Sequence, residues 1–300
     1  MTPLFALNYS HQAADLLRTG RIPLDRFKLP AWPDLIALAQ AIYPSFVHFP
    51  LRVGAGIGDA INSETKRPVD WGWVEALLRQ TATPLVNLHL SPEPTEVPPG
   101  MEWGAVDDAA AAAIGERLLR DVTAVVRRLG PEHVIVENDH CLMGDTPPAA
   151  CLPAVIRRVV EEAGCGFLLD LSHARMAAGA LGMDVYAYLN GLPLSRTREV
   201  HVTGIQRLDG HWLERLRRAE VDEAVIAHYA GRLFDHLPLV DADWEFTAWA
   251  MGQLHRGAWG DPWAVTFEYG GVKSLIGGVT DADILAEQTP RLYRLVKGIH

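Results

Sequence analysis

Short apolar runs recur along this chain, and one after another stops at a histidine or a carboxylate. LFALN (Leu4–Asn8) meets Tyr9, Ser10 and His11, and SFVHF encloses His48. PLVNLHLS sets Asn87 and His89 on one face by the two-residue period of a strand. HVIVEN ends in Glu137, Asn138, Asp139 and His140. The densest case is GFLLDLSHARMAAG, Gly166–Gly179, where Phe167, Leu168 and Leu169 run into Asp170 and, three residues later, His173. EVHVTG at Glu199–Gly204 holds His201, DHLPLVDADW puts Asp235 and His236 just before a helix, and AVTFEYGG ends in Glu268.

Between these runs the apolar spacing is helical. Helices are expected over Ala13–Leu17, Leu35–Ile42, Trp71–Gln80, Ala109–Leu129 (capped by Asp107 or Asp108), Leu152–Ala163, Val185–Leu192, Leu213–Arg218, Ala224–Leu233, Trp244–Leu254 (capped by Asp241 or Asp243) and Asp281–Val296. Pro30, Trp32 and Pro33 read as a break, and the small residues Ala174–Gly179 as a close approach or a turn. Strand followed by helix about eight times over predicts an α/β chain, a (β/α)8 TIM barrel. Its site would lie at the C-terminal ends of the strands, where the histidines and carboxylates fall. A chain of 300 residues, 49% apolar, fits one such domain over 1–300, since a barrel takes about 250 residues.

The net charge of −10 argues against attraction to nucleic-acid phosphate. Cys141, Cys151 and Cys165 show no CxxC spacing and are odd in number, which fits reduced thiols and a cytoplasmic protein. No apolar run approaches the roughly 20 residues of a membrane span, so no membrane association is expected.

Each polar run-end has an ordinary structural explanation. A single strand histidine such as His48 or His89 is commonly a hydrogen-bonded core residue, and Asp170 or Ser172 is placed to cap whatever follows its strand, with His173 then exposed. Glu137 and Glu268 resist this explanation, because a carboxylate at the end of an apolar run costs several kcal/mol when buried without a partner. Recurrence at so many equivalent ends favours a shared metal site. Imidazole and carboxylate donors without thiolate suit zinc, iron, manganese or cobalt, and seven or eight of them exceed one tetrahedral ion, so two or three divalent ions are expected. Asp139 and His140 read as groups that orient the ligands, and His11 as a residue at the mouth of the site.

LLDLSHARMAAGALGMDVYAYLNGLP followed by EVHVTG resembles the multinuclear non-haem iron-dependent oxidases, a TIM-barrel family within the xylose isomerase-like superfamily. VENDHC, NLHLS and FEYGG resemble that family's fourth, third and eighth strand ends. The resemblance implies iron ligands at His48, His89, Glu137, Asp170, His173, His201 and Glu268. It also implies a D-x-H element, met either by Asp209–His211 or by Asp235–His236, of which His236 is the better placed. Asn8–Tyr9 stands where the family has an arginine-bearing strand, and His173 where asparagine is usual.

The resemblance further implies an oxidase, with iron favoured, that uses O2 on a cysteine-containing peptide and leaves room for a partner protein that delivers it. Glu137, Asp170 and Glu268 are the candidate catalytic carboxylates. The alternative within the superfamily is a zinc- or manganese-dependent sugar isomerase or epimerase, or an endonuclease IV-like phosphodiesterase, acting on a small molecule or on DNA through a metal-activated water or a polarised carbonyl.

Overall fold

The computed structural model describes residues 2–142, 144 and 146–299. In chain order its elements are β1 (Leu4–Asn8), α1 (His11–Arg18), β2 (Arg26–Pro30), α2 (Pro33–Gln40), β3 (Ser45–His48), β4 (Leu51–Val53), β5 (Ile61–Asn62), β6 (Arg67–Pro68), α3 (Trp71–Gln80), β7 (Val86–Leu90), α4 (Asp108–Leu129) and β8 (Val134–Glu137). There follow α5 (Pro153–Ala163), β9 (Gly166–Asp170), α6 (Leu171–Ala180), α7 (Val185–Gly191), β10 (Thr197–Val202), β11 (Gly204–Arg207), α8 (Gly210–Arg218), α9 (Glu223–Tyr229), β12 (Leu233–Leu237), α10 (Asp241–His255), β13 (Ala264–Phe267), α11 (Ser274–Val279) and α12 (Ala282–Lys297). This is a mixed α/β fold of the class expected, with mostly parallel pairing. No described helix is long and apolar enough to cross a membrane.

The chain forms two compact units: residues 1–46, 201–257 and 263–300, and residues 47–200 with 258–262. In the first unit β1 is the central strand, parallel to β2 on one side (Asn8 opposite Lys28) and to β13 on the other (Leu7 opposite Phe267). That register puts the ends of three strands side by side, with Glu268 one residue beyond β13. A helical cluster around Leu208, Trp212, Leu216, Ile226, Phe234 and Leu237 covers a separate antiparallel pair, β11 and β12. Gly204 makes that pairing possible, because a Cβ there would stand 1.9 Å from the Pro238 carbonyl oxygen.

In the second unit β4, β7, β8 and β9 run parallel, with Arg52 opposite His89, His89 opposite Glu137, and Glu137 opposite Leu168. Parallel strands buried on both faces read as continuous apolar runs, and Val134–Glu137 and Phe167–Asp170 are buried throughout. Helix α4 begins on the Asp107 cap, and its fully buried Asp121 reaches the loop after β4. There the carboxylate accepts from the backbone N–H groups of Gly54, Gly56 and Gly58 at 3.0, 2.8 and 2.7 Å. Burial pushes the Asp121 carboxyl up despite these three donors. Nearby, buried Arg52 forms a two-pronged pair with Glu96 at 2.5 and 2.8 Å.

Three expectations are corrected. Arg26–Pro30 is a strand, where the proline had suggested only a break; its apolar residues Phe27 and Leu29 flank Lys28, which is buried as well. Ala174–Gly179 continues α6 in place of a turn, since Asp170 caps a helix that starts immediately at the strand end, while the buried Ala174, Ala177 and Ala178 show the close packing that was the other expectation. The segment preceding α10 is a strand, but β12 pairs antiparallel with β11, and the expected helix over Ala224–Leu233 stops at Tyr229 to allow it.

Two tests follow from this packing. Asp121→Ala leaves three clustered N–H donors without their acceptor and is expected to cost about 3 kcal/mol, read by urea unfolding, with proteolysis quickening in the 54–58 loop. Burial alone would raise the Glu96 carboxyl, but the hydrogen bonds from Arg52 and the Glu93 backbone, with the charges of Arg52 and Arg117, hold it below the usual carboxylate range. A depressed folded pKa contributes stability that is present above the unfolded value and lost as pH falls through the folded one. Glu96→Gln should therefore flatten the acid side of the Tm–pH curve and leave its slope near neutrality unchanged.

Candidate metal-binding sites

In the second unit, His48 at the end of β3, His89 on β7 and Glu137 on β8 each bring a ligand atom within 4.8 Å of the other two. His48 Nε2 and His89 Nε2 are 3.0 Å apart. That contact is a hydrogen bond between the two rings, and two imidazole nitrogens on one tetrahedral ion would stand only a little farther apart, at roughly 3.3 Å. Glu137 Oε2 lies 3.5 Å from His48 Nε2 and 3.4 Å from His89 Nδ1. Its other oxygen, Oε1, faces His173 Nδ1 at 3.9 Å. Glu137, Asp170 and His173 form a second group that passes the same 4.8 Å test, so the two groups share Glu137. Glu137 and Asp170 are each 1% exposed, and a carboxylate so buried is costly unless cations or strong donors answer it.

Two asparagines hold these groups in place. Asn87 accepts the Phe49 N–H at 2.7 Å and donates to the Phe49 carbonyl at 3.0 Å, which fixes the orientation of its amide. Its Nδ2, a donor only, then lies 2.9 Å from His48 Nε2. That nitrogen must therefore be an acceptor, the unprotonated form in which a histidine ligates a metal. Asn138 repeats the clamp one strand further on: its amide accepts from Asp170 N and donates to Asp170 O, both at 2.9 Å. The Asn138 backbone carbonyl accepts from His173 Nδ1 at 2.8 Å. Asp170 does cap its helix, Oδ1 accepting from His173 N at 2.7 Å, but His173 is only 9% exposed, unlike the solvent-facing residue that capping alone would imply.

Asp139 and His140, just past β8, form a third group with His173. Burial by itself would raise the Asp139 carboxyl, yet His173, His140, His89 and the Ser91 hydroxyl together hold it below the usual carboxylate range. Next to it, a hydrogen bond with the Cys151 thiol lowers the Cys141 pKa and raises that of Cys151; all three cysteines are free.

The first unit holds the remaining sequence candidates. His201, fully buried on β10, places Nδ1 3.1 Å from Glu268 Oε1. Lys28 makes an ion pair with the same oxygen. Asn8 Nδ2 donates to the Glu268 carbonyl at 2.8 Å, and His236 Nδ1 donates to that carbonyl at 3.0 Å. His236 takes a left-handed backbone conformation, φ 56°, at this contact. Of the two candidate D-x-H elements, Asp209 and His211 are exposed, with the His211 ring against Trp212, whereas Asp235 is buried beside His236. His11, at the start of α1, is exposed and edges onto Tyr9.

Lys28 is the residue that sequence reasoning missed, and its only signal was a charge alternating with the apolar residues of RFKLP. Removing one partner of a buried pair strands the other charge, at about 3–5 kcal/mol. Lys28→Met should therefore lower stability by about that much, and adding Glu268→Gln should restore most of it, as a double-mutant cycle in urea would read.

The family model "RiPP precursor modification enzyme MbnB/TglH/ChrH" matches residues 110–240, a stretch that includes Glu137, Asp170, His173, His201 and His236. A UPF0276 protein of Paraburkholderia phytofirmans is 47% identical over 49 residues, 16% of this chain and 16% of that protein. One of Acinetobacter baylyi is 25% identical over 151 residues, 49% of this chain and 50% of that protein. The chain thus covers half or less of these relatives' length. A chitinase of Chromobacterium violaceum overlays 96% of this chain and 99% of its own at 13% identity with a TM-score of 0.35, too loose a likeness to carry an argument. The segments LLDLSHARMAAG and EVHVTG, which carry the resemblance read from the sequence, thus fall inside the stretch of residues 110–240 that this family model matches.

Proposed function

We propose that this protein is a metal-dependent enzyme that oxidatively modifies a cysteine-containing precursor peptide, using two or three divalent ions, iron foremost, and O2. The observation that carries the reading is the shared carboxylate: Glu137 turns Oε2 to His48 and His89, and it lies with Asp170 in a second group whose ligand atoms are within 4.8 Å of one another. A carboxylate common to two donor groups would be suited to hold neighbouring ions. Bound iron would supply the redox equivalents that carry electrons from a substrate thiol to O2. His48, His89, Glu137 and Asp170 would hold the ions in the second unit, with His201, His236 and Glu268 as candidate ligands in the first.

What the chain itself contributes is orientation. The Asn87 amide keeps His48 Nε2 unprotonated, and the helix cap fixes the Asp170 carboxylate through Oδ1. The proposed substrate is a small peptide, which the family match supports, with any partner protein serving its delivery. The reading also places the protein in the cytoplasm, on the strength of its free thiols.

Glu137→Gln should reduce bound iron, measured by elemental analysis of anaerobically purified protein, by at least one equivalent. Thiol-dependent O2 consumption should fall by more than about 100-fold. Protein that holds only zinc and stays inert toward O2 and cysteine peptides after anaerobic iron loading would defeat the oxidase reading. Turnover of a ketose by that zinc form would favour the isomerase in its place.

A further inference from the structure

We propose that Asp139, His140 and His173 form an additional metal site of this chain, one that takes a divalent transition-metal ion separately from the Glu137 groups. Ligand atoms of the three residues lie within 4.8 Å of one another. The decisive detail is the tautomer of His173. A backbone carbonyl can only accept, so the 2.8 Å contact with Asn138 O makes His173 Nδ1 the protonated nitrogen. That same Nδ1 is the atom nearest Glu137 and Asp170, at 3.9 Å from each. A protonated nitrogen cannot ligate, so the lone pair of His173 sits on Nε2. A histidine ligand commonly donates its other N–H to a carbonyl in this manner, which fixes the ring and raises its basicity.

The other two donors are arranged to meet it. The His140 and His173 rings stand edge to face, centroids 5.1 Å apart at 71°, so they converge without stacking. The Asp139 carboxylate is oriented by the His140 N–H on Oδ1 at 2.7 Å and the Thr146 hydroxyl on Oδ2 at 3.1 Å, and each oxygen keeps lone pairs. Two imidazoles and one carboxylate are a complete protein set for an ion that keeps open positions for water or substrate. This assignment moves His173 from the ligand group implied by the family resemblance to a neighbouring one built on residues that the resemblance did not claim as ligands. It does not rest on the oxidase reading.

The test is a Co2+ titration of the full chain after chelator treatment, with ion counts by elemental analysis. His140→Gln and Asp139→Asn are compared with His48→Gln, and circular-dichroism melts verify that each variant is folded. The expected result is that His140→Gln and Asp139→Asn each lose one equivalent, or bind it at least about 10-fold more weakly, along with part of the visible Co2+ absorption. His48→Gln should lose a different component of the spectrum and retain this one. Folded His140→Gln and Asp139→Asn proteins with wild-type ion counts and an unchanged spectrum would overturn the proposal. Loss in those two variants with no change in His48→Gln would uphold this site and count against the Glu137 reading instead.

Discussion

A carboxylate at the buried end of a parallel strand has to be answered by cations or strong donors, and Glu137 imposes that requirement on the second unit. The register of β7 against β8 is what brings the answer, because it sets His89 directly opposite Glu137. A slip of one residue would turn His89 to the other face of the sheet and leave the carboxylate facing apolar neighbours. The same register carries Asn87 to the strand end where it grips Phe49, and thereby sets His48. Strand pairing, loop anchoring and ligand geometry are thus one constraint seen at three distances.

The paired asparagines show how precision is reached without extra mass. Each spends one amide on both hydrogen-bonding groups of a neighbouring backbone residue, Asn87 on Phe49 and Asn138 on Asp170. Such a clamp satisfies buried peptide groups that the strand ladder no longer reaches, while it fixes the adjacent side chain. The Asp121 carboxylate does comparable work for the loop after β4, collecting three N–H groups that would otherwise be buried without an acceptor.

Much of this was legible in the sequence because the strand ends announce themselves: an apolar run that stops at His, Glu or Asp is costly unless the polar group has a task. His48, His89, Glu137, Asp170 and His173 do lie together within one unit, and His201, His236 and Glu268 within the other. What stayed hidden depends on tertiary contact. Lys28 lies in a short run closed by a proline, and its ion-pair partner Glu268, far along the chain, answers the charge of a lysine buried there. The run at Asp235–His236 showed in the sequence only as the lead-in to a helix, yet Gly204 lets the backbone of β11 approach Pro238 and holds β12 in an antiparallel pair. The tautomer of His173 is set by a carbonyl on a different strand end, and no spacing in the sequence encodes that.

The two units answer their buried carboxylates in different currencies of charge. Glu268 faces the Lys28 ammonium, and His201 Nδ1 lies 3.1 Å from the same carboxylate oxygen. Glu137 faces His48, His89 and His173, whose charge is conditional: a histidine that ligates a metal is neutral, and the metal supplies the positive charge in its place. Were these histidines to hold ions as proposed, protons and metal would compete for the same nitrogens, and binding would weaken as pH falls.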